Sequence, residues 1–171
     1  MDLLSAEEKE FFMQAALTEA KKAADNDEVP IGCVVVQIPQ EKAASGLFER
    51  LENEAPKIIA AGYNRRELDN QATHHAEICA IEAANTAVGN WRLTDCALFV
   101  TIEPCVMCAG AIGLARIPNV YYGAANEKFG AADSLYQILT DRRLNHRVKV
   151  ESGILETECA SLMQDFFKKR R

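Results

Sequence analysis

No run of apolar residues in this 171-residue chain approaches the roughly 20 needed to span a bilayer. A transmembrane helix is therefore not expected. The first eight residues, Met1 to Glu8, are acidic and lack the charged-then-apolar layout of a secretory signal or the basic character of a transit peptide. That pattern implies a cytoplasmic protein. Positive charge is also short: the formal net charge is −6, which is not the basic balance of a typical nucleic-acid-binding domain. Local basic patches remain at Arg65-Arg66 and Lys168-Lys169-Arg170-Arg171, each of which also reads as an ordinary solvated surface. Internal repeats and low-complexity tracts are absent. What remains is 49% apolar and 26% charged, a composition that supports a sizeable core and one domain over residues 1–171.

The periodicity predicts alternating helices and strands. Ser5-Ala6-Glu7-Glu8 is a capping box, and Met13, Ala16, Leu17 and Ala20 follow at helical spacing, so a first helix runs to about Ala24. Apolar, β-branched runs predict strands at Ile31–Ile38, Ile58–Tyr63, Ala97–Ile102 and Val120–Gly123, with a further alternating strand at Arg147–Glu151. Residues 39–56, bounded by Pro39 and Pro56, read as a long surface hairpin loop with a short helix at Leu47–Asn53. Buried helices are expected at Ala72–Val88 and, after Pro104 at a helix start, at Val106–Ala115. Ser134–Thr140 reads as a helix. A last helix carries Cys159, Leu162, Met163 and Phe166. One hairpin followed by strand–helix alternation implies a three-layer α/β/α sandwich around a mixed five-stranded sheet. Ligands in such folds sit beyond the carboxyl ends of the strands.

Six cysteines in a reducing compartment do not suggest a disulfide framework. Cys33, Cys79, Cys96 and Cys159 lie in apolar stretches and read as buried free thiols. Cys105 and Cys108 differ, being three apart at the start of a helix, where sulfurs share a face and the helix N-terminus favours thiolates. Upstream stands His75-Ala76-Glu77, also at a helix start. His75, Cys105 and Cys108 would give zinc three ligands and one open position, the arrangement of a catalytic site. Glu77, two residues after His75, can stand beside the metal without binding it and act as a proton carrier. A redox dithiol would need no upstream His-x-Glu. A structural zinc would need a fourth ligand, for which Cys79, Cys96 and His74 are the candidates. His74 competes with His75 as ligand, and the spacing to Glu77 favours His75. His146 reads as a capping or packing residue.

His-x-Glu followed by Pro-Cys-x-x-Cys is the signature of the zinc-dependent nucleobase deaminases, in which zinc-activated water attacks the ring carbon that bears the amino group. The runs Asp27-Glu28-Val29-Pro30-Ile31-Gly32, Gly62-Tyr63-Asn64-Arg65, Thr101 to Ala111, Gly130-Ala131-Ala132-Asp133-Ser134, Asn145-His146-Arg147-Val148, Gly153-Ile154-Leu155 and Asp165-Phe166-Phe167 extend the match over nearly the whole chain. In these the sequence resembles the tRNA-specific adenosine deaminases, which convert the wobble adenosine of an anticodon to inosine. The resemblance implies a cytidine deaminase-like fold, one Zn2+ per chain, proton transfer by Glu77 and a homodimer whose two subunits both touch the tRNA anticodon loop. It also implies that Asn64 holds the flipped nucleoside, although by itself Asn64 reads equally as a turn residue ending a strand. Ala76 matches a position whose backbone touches the base, and Val29 and Pro30 match a wall of the pocket.

Two features depart from that family. Residues 39–56 are longer than its usual hairpin. Asn126 stands where many members have aspartate, and a neutral amide there bears on the preference for RNA over DNA. Two other functions fit the bare motif: deamination of a free nucleobase or nucleoside (guanine, cytosine or cytidine), and a non-enzymatic zinc module binding RNA or protein.

Overall fold

A computed structural model of the chain describes residues 3–42, 48–51 and 53–170. The capping box forms as expected. Ser5 Oγ accepts from the Glu8 N–H, and the Glu8 carboxyl accepts from the Ser5 N–H. It starts helix α1 (Ala6–Asp25), which buries Phe12, Met13, Ala16, Leu17 and Ala20 on one face. Strand β1 (Gly32–Gln37) follows, then a hairpin of β2 (Gln40–Lys42) and β3 (Phe48–Arg50), then β4 (Lys57–Tyr63). After a short helix α2 (Arg66–Asp69) come α3 (Ala76–Val88), β5 (Cys96–Ile102), α4 (Val106–Leu114), β6 (Asn119–Ala124), β7 (Lys149–Ser152) and α5 (Glu156–Lys168).

The five long strands form one mixed sheet in the order β4-β1-β5-β6-β7, antiparallel on the β4 side and parallel from β5 to β7. Alternation along β1 assigns the two faces. Cys33 and Val35 join a core with Ala80 and Ala84 of α3 and Ala109 and Ile112 of α4. Val34 and Val36 join a second core with Phe12, Met13 and Leu17 of α1 and Cys159 of α5. Two helices on each face make the three-layer sandwich.

Two glycines let helices approach the sheet closely. A Cβ on Gly32 would lie 2.1 Å from the Ala16 carbonyl oxygen of α1. A Cβ on Gly62 would lie 2.6 Å from the Ala76 carbonyl oxygen of α3. Tyr63 pairs with Gly32, and Gly62 with Cys33. Both contacts therefore fall at one edge of the sheet, where β4, β5, β6 and β7 end and β1 begins.

Two expected helices are corrected. Ser134–Thr140 is a series of turns, because buried Glu103 takes the Asp133 and Ser134 N–H groups and the Ser134 hydroxyl, donors a first helical turn would otherwise leave free. The short helix expected at Leu47–Asn53 is not formed where the chain is described: Phe48–Arg50 pairs antiparallel with Gln40–Lys42. Leu47 and Glu52 lie outside the described residues. Helix α3 also starts four residues later than expected, at Ala76, since residues 72–75 are turn and extended chain.

The β2–β3 hairpin leaves from the end of β1, the edge opposite the carboxyl ends. Arg50 fixes it to the start of α1 through a two-pronged ion pair with Glu8, 2.8 Å for each contact, and a hydrogen bond to the Leu3 carbonyl. No helix among the described residues is long and apolar enough to cross a membrane.

Candidate active site

His75 and Cys105 occupy equivalent places. Each is the N-cap of its helix in extended conformation (φ −73°, ψ 157° and φ −75°, ψ 174°), and neither side chain caps its own helix. Both are thus free to turn toward each other across the sheet edge. Cys108, one turn into α4, faces the same point and is buried. His75 Nδ1 lies 3.6 Å from Cys105 Sγ and 3.6 Å from Cys108 Sγ. A tetrahedral zinc with bonds of about 2.0–2.1 Å to nitrogen and 2.3 Å to sulfur sets its ligand atoms about 3.6 Å apart. Among the described residues, these three are the one group of His, Cys, Asp and Glu side chains placed to share a metal.

The other candidate ligands lead elsewhere. His74 Nδ1 pairs with Asp69 at 2.9 Å. Cys96 is buried at the start of β5, its Sγ donating to Asp95. Cys79 is half-buried on α3. His146 Nε2 donates to the Ile117 carbonyl at 2.8 Å, the packing role expected of it.

The charges fit metal binding. In the metal-free chain the Cys108 thiol, with help from His75, holds Cys105 down at about 4, well within thiolate range. The same shared proton, together with burial, pushes Cys108 far up. The Cys105 sulfur in turn raises His75. Glu77, in the first turn of α3 and 3% exposed, has its carboxyl pushed up to about 7 by burial, with the Cys105 charge adding to the rise. A carboxyl poised near neutrality can take a proton in one step and return it in another.

Asn64 follows β4 and is 4% exposed. Its Nδ2 donates to Glu28 Oε2 at 3.2 Å and to the Val29 carbonyl at 3.4 Å, while its Oδ1 is buried with no hydrogen-bond partner. The chain then loops through α2 and returns beside itself, the Arg65 N–H donating to the His74 carbonyl at 3.0 Å. This closure, with Gly62 packed on the Ala76 carbonyl, brings the end of β4 and the start of α3 to the same edge of the sheet. Ala76 is fully buried as the first residue of α3. Val29 is half-buried and Pro30 buried in the segment that enters β1. Asn126 follows β6. Its Oδ1 accepts from the Lys128 and Phe129 N–H groups, which commits that oxygen to a turn.

Two carboxyl groups without an assigned role in the sequence hold this edge together. Glu28 Oε1 accepts from the Leu68 N–H at 2.7 Å while Oε2 accepts from Asn64. Glu103, one residue before Pro104, accepts from the N–H groups of Asn126, Ala132, Asp133 and Ser134. Burial acts to raise Glu103, but these donors outweigh it and hold its carboxyl below the usual range. The one sequence signal was for Glu103, an acid at the end of the apolar run of β5; Glu28 follows the acidic stretch Asp25-Asn26-Asp27 and carried none.

The basic segments divide. Arg65 is locked by Asp69 and stacks near Tyr63, while Arg66 is exposed on α2. Arg170 stacks on Phe166 and reaches Asp27, next to the Glu28–Pro30 segment. Lys168 is exposed, with a long ion pair to Asp165 at 3.8 Å. Arg171 lies outside the described residues.

Comparison with known proteins gives concordant matches. A family model of MafB19-like deaminases matches residues 7–171. A tRNA-specific adenosine deaminase of Streptococcus pyogenes serotype M18 is 57% identical over 167 residues, covering 98% of this chain and 94% of that protein. The tRNA-specific adenosine deaminase of Bacillus subtilis is 40% identical over 162 residues, covering 95% and 90%. A solved tRNA A34 deaminase, studied for A-to-I editing at the wobble position of transfer RNA, is 39% identical with a TM-score of 0.74 and covers 89% of this chain and 98% of that one.

Proposed function

Because this chain belongs to the tRNA-specific adenosine deaminases, we propose that it deaminates adenosine to inosine at the wobble position of tRNA, with residues 1–171 acting as one zinc-dependent deaminase domain. The observation that carries the mechanism is the triangle of His75, Cys105 and Cys108 at tetrahedral spacing with buried Glu77 in the adjoining helix turn. These three residues would hold one Zn2+. The donor set fits, with two sulfurs, one of them drawn toward the thiolate form by its neighbours, and one imidazole. A zinc ion held there supplies Lewis acidity, lowering the pKa of water in its contact from 15.7 to about 7.

The chain's own residues do the rest. Glu77 takes a proton from the attacking water and passes it to the ring nitrogen beside the attacked carbon; it then takes the second proton from the newly added hydroxyl and gives it to the amino group, which leaves as ammonia. Asn64, Val29, Pro30 and the backbone of Ala76 line the nucleoside site. Asn126 stands at its rim beyond β6. The tRNA anticodon loop is the partner, and a flipped adenine is what the enclosed site requires. A tRNA substrate and six free cysteines support a cytoplasmic location. We assign a homodimer to the exposed apolar face of α4, where Val106 and Leu114 are 45% and 72% exposed.

The test is incubation of the purified protein with unmodified tRNA carrying a wobble adenosine, digestion to nucleosides, and measurement of inosine. Glu77→Gln should keep zinc and fold yet lose turnover by about 10²-fold or more. Ammonia release from free guanine or cytidine far faster than from tRNA would replace this reading with the small-substrate one.

A further inference from the structure

The amide of Asn64 has only one self-consistent orientation. Its Nδ2 faces two acceptors, Glu28 Oε2 at 3.2 Å and the Val29 carbonyl at 3.4 Å. Turning the amide over would set an oxygen against both, so the hydrogen-bond network assigns nitrogen to this side. The other half of the amide, Oδ1, is then the atom left without a partner, at a residue 4% exposed. A buried acceptor left unpaired is costly, and such groups ordinarily find a partner or serve a ligand.

Glu28 is itself held in place. It is 2% exposed, and its second oxygen accepts from the Leu68 N–H of α2 at 2.7 Å. It cannot swing away from Asn64 without stranding that donor. The same carboxyl thus ties the segment entering β1, the end of β4 and α2 into one wall beside His75.

We infer that Glu28 is a positioning residue that locks Asn64 with its side-chain oxygen toward the bound nucleoside, so that this wall reads a hydrogen-bond donor of the substrate. The inference rests on adenosine deamination as the reaction. Adenosine offers two such donors, the ribose 2′-hydroxyl and the exocyclic amine. The ring nitrogens N1, N3 and N7 are acceptors and would be repelled. Asn64 therefore selects pose by polarity, and the polarity is set by its neighbour.

The test reverses the polarity. In Glu28→Gln the new side-chain oxygen keeps the Leu68 N–H, and the new amide nitrogen faces Asn64. Asn64 then turns over, giving up its longer contact to the Val29 carbonyl for the shorter one to the introduced amide, and presents NH2 to the substrate. With zinc content and Tm unchanged, kcat/KM on tRNA should fall about 10- to 100-fold, the scale of a lost hydrogen bond plus a mismatched donor. Adding Asn64→Asp restores an outward acceptor, so Glu28→Gln/Asn64→Asp should exceed Asn64→Asp alone. Relief of carboxylate repulsion alone would appear as a gain in Tm or zinc content, so the rescue is read as kcat/KM between variants matched in both. Activity of Glu28→Gln within about twofold of wild type, or a double variant no better than Asn64→Asp alone, overturns the inference. The second comparison decides should Glu28→Gln by itself not fold. A readout without turnover separates this from failure of the reaction assignment. The Asn64 NH2 resonances should exchange with solvent faster in Glu28→Gln than in wild type, and an unchanged rate overturns the inference even if no inosine is formed. Substituting 2′-deoxyadenosine at the edited position names the donor: the wild-type advantage over Glu28→Gln vanishes if it is the 2′-hydroxyl and persists if it is the amine.

Discussion

Asp69 gathers the polar contacts that close the loop between Asn64 and His75. Arg65 grips it with two nitrogens at 2.7 and 2.8 Å, and His74 Nδ1 lies 2.9 Å away. Arg65 first, then His74, draw its pKa from 3.8 down to about 2. A carboxyl with a lower pKa in the folded chain contributes stability above its unfolded value and loses it on acidification. The contribution of Asp69 is thus whole above about pH 4 and disappears as pH falls through about 2. Asp69→Asn should lower Tm at pH 7 and have little effect at pH 2. Melting curves across that range check this, and an equal Tm loss at both ends would show that packing, not ionisation, is responsible. His75 was legible in the sequence because its role depends on a spacing to Glu77 and a second motif. Glu28 and Glu103 were not, because each acts on partners that only folding brings near; Asp69, whose partners Arg65 and His74 stand four and five positions away, lies in no motif that marks it. Glu28 reaches Leu68 across 40 positions, and Glu103 reaches Asn126 and Ser134 across 23 and 31.

Among the elements, those with a periodic apolar face were readable. Helices α1 and α3 and strands β1, β4 and β5 fall within a few residues of expectation because burial itself writes the pattern. Ser134–Thr140 was misread because side-chain capture by Glu103 overrides local propensity there. The placing of α3 rests on something subtler, the missing side chain of Gly62. Its backbone meets the Ala76 carbonyl and the Ala80 N–H of α3. A methyl group there would sit 2.6 and 2.7 Å from those backbone atoms, so α3 must move. Gly62→Ala should cost about 1–3 kcal/mol by overpacking. Since α3 carries His75 at its cap and Glu77 in its first turn, zinc affinity and kcat should fall with stability. Denaturant unfolding and competition for zinc with a chelator dye measure the two. Unchanged zinc affinity alongside a stability loss would mean that α3 pivots without displacing its first turn.

The whole molecule must present the site to a polyanion while carrying net charge −6. A single acidic surface meets that demand poorly, whereas a dimer can set basic groups from two copies around one anticodon loop. One face suited to this lies on α4. Helix α4 has no charged residue, and its outward side holds Val106, Gly110, Gly113 and Leu114. Nothing lies within 4 Å of a Cβ built on either glycine, so a second backbone can come close. The inward side of the same helix holds Cys108, so pairing through α4 would brace one of the three residues proposed to hold zinc. Leu114→Glu places a charge at the C-terminal end of this face without touching the core. Sedimentation should show a dimer in wild type and a monomer in the variant, with zinc still bound, and tRNA affinity should fall by about tenfold or more because half of the paired surface is lost. A variant that stays dimeric removes α4 from the interface. A monomer with undiminished tRNA affinity would mean that one copy of the chain suffices to bind the anticodon loop.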